Sequence, residues 1–204
     1  MARRRSNNKT GDVAEVRQAQ RLVRTPDDIW QRNPEIIKQF FQVRRDYEQL
    51  CAEVEYILRK RIAESGIETS SITSRAKTLN SFLEKLQRKH YDSPFEQLSD
   101  LAGARVVCLY RDDIAKIAET IRSDFDVVED IDKLDEMAVD QFGYGARHFV
   151  LRLGKTHSGP RYDDLKQLLC EVQVRSVVQD AWPLFSTTWS TSANRRCRPN
   201  FSGS

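Results

Sequence analysis

The sequence predicts an α+β domain, a mixed β-sheet of about four to five strands flanked by helices, with an N-terminal helical extension. Three observations carry this. Leu169-Cys170-Glu171-Val172-Gln173-Val174-Arg175 alternates apolar and polar residues, the period of a strand with one packed face. Apolar residues from Ile37 to Ile62 recur at spacings of three and four, the period of a helix with one packed stripe. Between these two stretches the patterns run in the order β-α-β and then a further strand, and a last helix follows the alternating strand.

The chain of 204 residues is long enough for one domain with a proper core. Residues 1–30 read as a basic, partly disordered segment, residues 31–182 as the domain, and residues 183–204 as an atypical tail without apolar periodicity. No apolar run approaches the length of a membrane span. The basic start Met1-Ala2-Arg3-Arg4-Arg5 has no apolar stretch after it, so it is not a secretory signal. The four cysteines form no CxxC pair and read as reduced core thiols of a cytoplasmic protein with no membrane partner. The three histidines form neither HExxH nor a His-Asp pair, which argues against a zinc enzyme or a metal-dependent phosphohydrolase. A net charge of +3 is too small to imply nucleic acid by itself.

Taken in order, residues 11–24 predict a short helix stopped near Thr25-Pro26. Asn33-Pro34-Glu35 supplies a cap, a proline and a first-turn acid for the long helix, and Ser65-Gly66 ends it. Thr73 to Lys89 predicts a polar entry and then a helix with Leu79, Phe82, Leu83 and Leu86 inward. Arg75, Lys77, Lys85, Arg88 and Lys89 gather positive charge there, either as a solvated face or as a polyphosphate site. Residues 90–99 read as a loop. Leu98 to Tyr110 predicts a turn feeding a buried strand, with Gly103 allowing close backbone approach. Asp100, just before that strand, is either a turn former or a metal-binding carboxylate. Asp112 to Ser123 predicts an amphipathic helix capped by Asp112 or Asp113, Phe125 to Glu129 a strand, and residues 130–142 an acidic connection. Gly143-Tyr144-Gly145 turns into a strand through Leu153, leaving Tyr144 to pack or to stack on a base. Residues 154–164 read as a hairpin-like excursion. The strand to Arg175 follows, and Ser176 caps a helix through Val177, Val178, Ala181 and Trp182.

Four of these blocks, in this order and spacing, resemble the RelA/SpoT synthetase domain and its single-domain members, the small alarmone synthetases: Ser74-Arg75-Ala76-Lys77 with its basic helix; Asp100 to Val107; Gly143-Tyr144 to His148; and Glu171 to Arg175. The resemblance covers residues 35–182 and implies a nucleotidyltransferase-like synthetase fold. It also implies transfer of the β,γ-pyrophosphate of ATP to the ribose 3′-hydroxyl of GDP or GTP, making (p)ppGpp, without the hydrolase of the long relatives. By matching position, Asp100 would hold Mg²⁺, and Glu171 would help bind it and activate the hydroxyl. Arg75 and Arg105 would sandwich adenine. Lys77, Lys85 and Arg88 would grip the ATP phosphates. Tyr144 would stack on guanine, with His148 and Gln173 nearby. Relatives of this kind form homo-oligomers.

Two departures stand out. The third block usually reads Gly-Tyr-Arg-Ser-x-His; here Gly145 and Ala146 replace the middle pair and Arg147 follows. Either two polar contacts to the acceptor are lost, or Arg147 replaces one from the other side of the strand. This leaves open a toxin-like relative that modifies tRNA or an adenosine nucleotide, and an inactive nucleotide-binding remnant. The second departure begins at Pro183, hostile to the helix the family continues there. A reading-frame shift accounts for such a tail, and the coding DNA checks it.

Overall fold

The computed structural model describes residues 34–89, 91–132 and 145–182. The expected helix over 11–24, Tyr144 and the tail from Pro183 lie outside the described residues.

The long helix α1, Pro34–Glu64, starts at the proline, as the cap sequence predicts. Its apolar stripe, including Phe40, Leu50, Val54, Leu58 and Ile62, is buried. Gly66 closes it with a left-handed φ of 68°. The Gly66 amide donates to the Ala63 carbonyl and the Ile67 amide to that of Ile62, the paired bonds of a Schellman ending. There follow β1 (Thr69–Ala76), α2 (Leu79–Arg88), the single turn α3 (Pro94–Gln97), β2 (Ala102–Cys108), α4 (Asp113–Asp124), β3 (Phe125–Asp132), β4 (Arg147–Leu153) and β5 (Cys170–Ser176). Residues 177–182 continue as helix. Its start is a capping box: the Gln179 amide donates to Ser176 Oγ at 3.4 Å, and the Ser176 amide to Gln179 Oε1 at 2.8 Å.

The five strands form one mixed sheet in the order β1-β2-β5-β4-β3. Only β2 and β5 are parallel; the other three pairings are antiparallel. The fold is therefore the α+β mixed sheet that the sequence predicts. α1 and α4 cover one face, where Ile72, Ala104, Val106, Phe149, Leu151, Val172 and Val174 join the helices' apolar stripes in one core. Phe82 of α2 lies between Phe40 of α1 and Phe95 of α3, with ring centroids at 5.0 and 5.3 Å, and fixes α2 beside the sheet.

Several expectations are corrected. Thr73–Ala76 is not a polar lead-in to a helix but the end of β1, an edge strand in which only Ile72 is buried. Its Ser and Thr residues give no apolar alternation to read. Backbone pairing with β2 forms it, and α1 anchors it through Ser74 Oγ to Glu55 Oε2 at 2.8 Å and Arg59 to the Ile72 carbonyl. Residues 94–97 form a helical turn rather than loop, and β3 runs on to Asp132. Asp112 stands at the N-cap of α4 without a side-chain cap bond, while Asp113, in the first turn, is buried and takes Lys116 Nζ at 2.7 Å. The close approach expected at Gly103 is not needed there, since an added Cβ would make only ordinary contacts with carbonyl oxygens 3.8 and 3.9 Å away. It is needed at Gly154, where a Cβ would run into the Asp124 carbonyl.

Candidate active site

Strand register assembles the site on the sheet face opposite α1. Cross-strand partners share a face. Gly103 of β2 stands between Arg75 of β1 and Glu171 of β5; one step along, Thr73, Arg105, Gln173 and His148 form a row across four strands. The alternation of β5 is realised in full: Cys170, Val172 and Val174 are buried, while Glu171, Gln173 and Arg175 are half-buried on the other face. A cavity of about 440 Å³ opens over this surface, lined among others by Arg75, Lys77, Asp100, Arg105, Glu171 and Gln173.

Asp100 sits at one wall. Lys77 Nζ, from the link between β1 and α2, and Lys85 Nζ, from α2, both donate to its Oδ2 at 2.6 Å. Burial by itself would raise the Asp100 carboxyl; the hydrogen bonds and charges of the two lysines outweigh it and hold the group below its ordinary value. Oδ1 is buried and makes no hydrogen bond. Glu171 faces the same cavity. His148 Nδ1 lies 3.0 Å and Gln173 Nε2 2.9 Å from its Oε1. The His148 hydrogen bond, helped by Gln173 and opposed by burial, brings the Glu171 carboxyl down to about 2. An ionised carboxylate only accepts, so Nδ1 is the protonated ring nitrogen of His148.

Not every expected residue joins this constellation. Arg105 lines the cavity, and its Nη1 donates to Asp180 Oδ1 at 3.1 Å, a partner from the last helix that no sequence signal marks. Arg88 lies on the exposed side of α2, paired with Glu84 at 4.0 Å and away from the cavity. Arg147 points to the other face, where Asp130 Oδ1 and Asp132 Oδ2 hold it at 2.8 and 3.4 Å. It therefore does not stand in for the polar contacts missing at Gly145 and Ala146. Ala146 itself is buried.

The family model for the region found in RelA / SpoT proteins matches residues 74–192, from β1 to beyond Pro183. The GTP pyrophosphokinase YjbM of Bacillus subtilis (strain 168) is 34% identical over 115 residues, 54% of this chain and 51% of that protein. The chain thus spans about half the length of this curated relative. Among solved structures, small alarmone synthetase 1 from Bacillus subtilis bound to its product pppGpp superposes with a TM-score of 0.60 at 25% identity, covering 77% of this chain and 82% of that one. The same protein bound to AMPCPP gives 0.54 at 25%, covering 80% and 83%. A GTP pyrophosphokinase family protein from Streptococcus pneumoniae shares the fold, with a TM-score of 0.58 at 20% identity over 79% of this chain and 81% of that one.

Proposed function

Because this chain belongs to the RelA/SpoT family, we propose that it is a GTP pyrophosphokinase that transfers the β,γ-pyrophosphate of ATP to the ribose 3′-hydroxyl of GDP or GTP. The observation that carries the reading is the convergence, on one cavity, of the carboxylates Asp100 and Glu171 with the cations Arg75, Lys77 and Arg105, and of Lys85 from α2 on Asp100. Relatives bound to pppGpp and to AMPCPP support nucleotide ligands of this class.

Pyrophosphoryl transfer asks a protein mainly to position two nucleotides and to neutralise charge. In this reading Lys77 and Lys85 bind the ATP phosphates, and Arg75 and Arg105 lie against adenine. Tyr144, outside the described residues, stacks on guanine, with His148 and Gln173 nearby. Arg88, on the outer side of α2, meets phosphate only after leaving Glu84. Asp100 and Glu171 would hold Mg²⁺. The fit rests on Asp100 Oδ1, a buried oxygen without a partner, and on Glu171, whose hydrogen bonds both end on Oε1. Mg²⁺ is usually held by one or two carboxylates together with substrate phosphates and water, which two such side chains would suit. The ion, when bound, neutralises developing charge on the phosphate oxygens. Glu171, ionised at neutral pH, accepts a hydrogen bond from the acceptor hydroxyl and orients it; a carboxyl near 2 is a weak base, which suits a loose transition state in which the hydroxyl gives up its proton late.

The test is transfer of label from ATP to GDP, GTP, AMP or tRNA, with Glu171→Gln as control. Label on guanosine nucleotides is the expected outcome. Label on tRNA or AMP alone would overturn the acceptor assignment, and no transfer to any acceptor would overturn the activity.

A further inference from the structure

Arg175 completes the polar face of β5 but does not line the cavity. Its Nη2 donates to Gln173 Oε1 at 3.2 Å, and Gln173 Nε2 donates in turn to Glu171 Oε1 at 2.9 Å. A guanidinium only donates and an ionised carboxylate only accepts. The side-chain amide between them is therefore locked in one of its two flips, with its carbonyl toward Arg175 and its NH₂ toward Glu171. Arg175 is half-buried, its Nε makes no hydrogen bond, and Arg105 lies close enough to oppose its charge. Asp180 and Glu171 favour that charge from nearby.

We infer that Arg175 is a positioning residue of the transfer reaction: by fixing the Gln173 amide it keeps a donor on Glu171 Oε1 and so leaves Oε2 to the reacting groups. Without Arg175 the amide can rotate, its carbonyl then faces the carboxylate, and Glu171 loses a donor and its orientation. The kinetic consequences rest on the pyrophosphoryl-transfer reading above; the arrangement of the amide does not.

The experiment compares wild type, Arg175→Met, Gln173→Ala and the double variant. Arg175→Met is expected to lower kcat about tenfold, the scale of one charge-assisted hydrogen bond, with KM for ATP and acceptor within about twofold. In the Gln173→Ala background it is expected to add nothing. A raised acceptor KM, or an effect that adds to that of Gln173→Ala, would overturn the inference. Arg175→Lys, which keeps charge and a donor, is expected to lose less kcat with the same unchanged KM, and serves if the Met variant does not fold. Independently of turnover, the Gln173 side-chain NH₂ resonances, identified by their absence in Gln173→Ala, are expected to shift and to exchange faster with water in either Arg175 variant. Unchanged resonances would overturn the inference. If wild type transfers to no acceptor, the functional reading fails while this spectrum still decides the role of Arg175.

Discussion

Asp100 and Glu171 are held in the same manner: one oxygen carries all the hydrogen bonds and the other carries none. Such a carboxylate is fixed in place and still has a lone pair to offer. Glu171→Gln keeps the shape but removes the charge, and is expected to lower kcat by two to four orders of magnitude, roughly the range for a positioned acid–base group, with AMPCPP affinity little changed. Equilibrium binding with a slow or non-reacting analogue checks it, and loss of binding in step with kcat would count against the assignment. A pH dependence follows with a definite sign. Folding moves the Glu171 carboxyl from 4.5 to about 2, so its contribution is present in full above the unfolded value and is lost as pH falls toward 2. The size is at most about 3 kcal/mol. Asp100 shifts in the same direction. Urea unfolding at pH 7 and pH 3.5 is expected to show wild type losing more stability than Glu171→Gln; parallel losses would sink the claim.

Elements differ in how far their residues announce them. The stripe of α1 and the alternation of β5 are long and periodic, and both stand where the sequence places them. β1 has one buried residue in eight and is an edge; its existence depends on a partner strand that comes some thirty residues later, which local pattern does not carry. That is why Arg75 belongs to a strand rather than to a helix entrance. The same limit applies to Asp180, whose meeting with Arg105 depends on how the last helix leaves the sheet. That Asp100, Arg105, Glu171 and Gln173 would line one cavity was legible because β2 and β5 run side by side, whereas Arg88 depends on which way an exposed side chain turns and Arg147 on strand register, which pairs it with Val174 on the core side. Glycines divide in the same way. Gly154→Ala is expected to destabilise by about 1–3 kcal/mol, because the new Cβ meets backbone that must shift. Gly103→Ala, with only ordinary contacts waiting, is expected to stay within about 0.5 kcal/mol of wild type and to act instead on nucleotide binding, since Gly103 lines the cavity. Denaturant midpoints and ATP KM separate the two, and equal destabilisation would refute the contrast.

At the scale of the molecule, one face of the sheet is core and the other is site, and α2 links the two. Its Phe82 is fully buried between Phe40 and Phe95, and Lys85, one turn on, reaches Asp100. The position of Lys85, the proposed phosphate ligand, is thus tied to an aromatic contact one turn away on the same side of its helix. Shortening that contact should be felt in the cavity. Phe82→Leu is expected to cost about 1 kcal/mol of stability, the scale of a tolerated hydrophobic swap, and in addition to lower kcat/KM for ATP several-fold as α2 settles differently. Ile117→Val in α4 is the control. Ile117 is as deeply buried, and its loss of one methylene is expected to cost about 0.5–1.5 kcal/mol, but α4 brings no residue to the cavity. Urea unfolding and initial rates at varied ATP, both well below the unfolding transition, test the pair. If both variants lose stability and neither loses kcat/KM, Lys85 is held by its ion pair with Asp100 alone and the aromatic contact serves only the core.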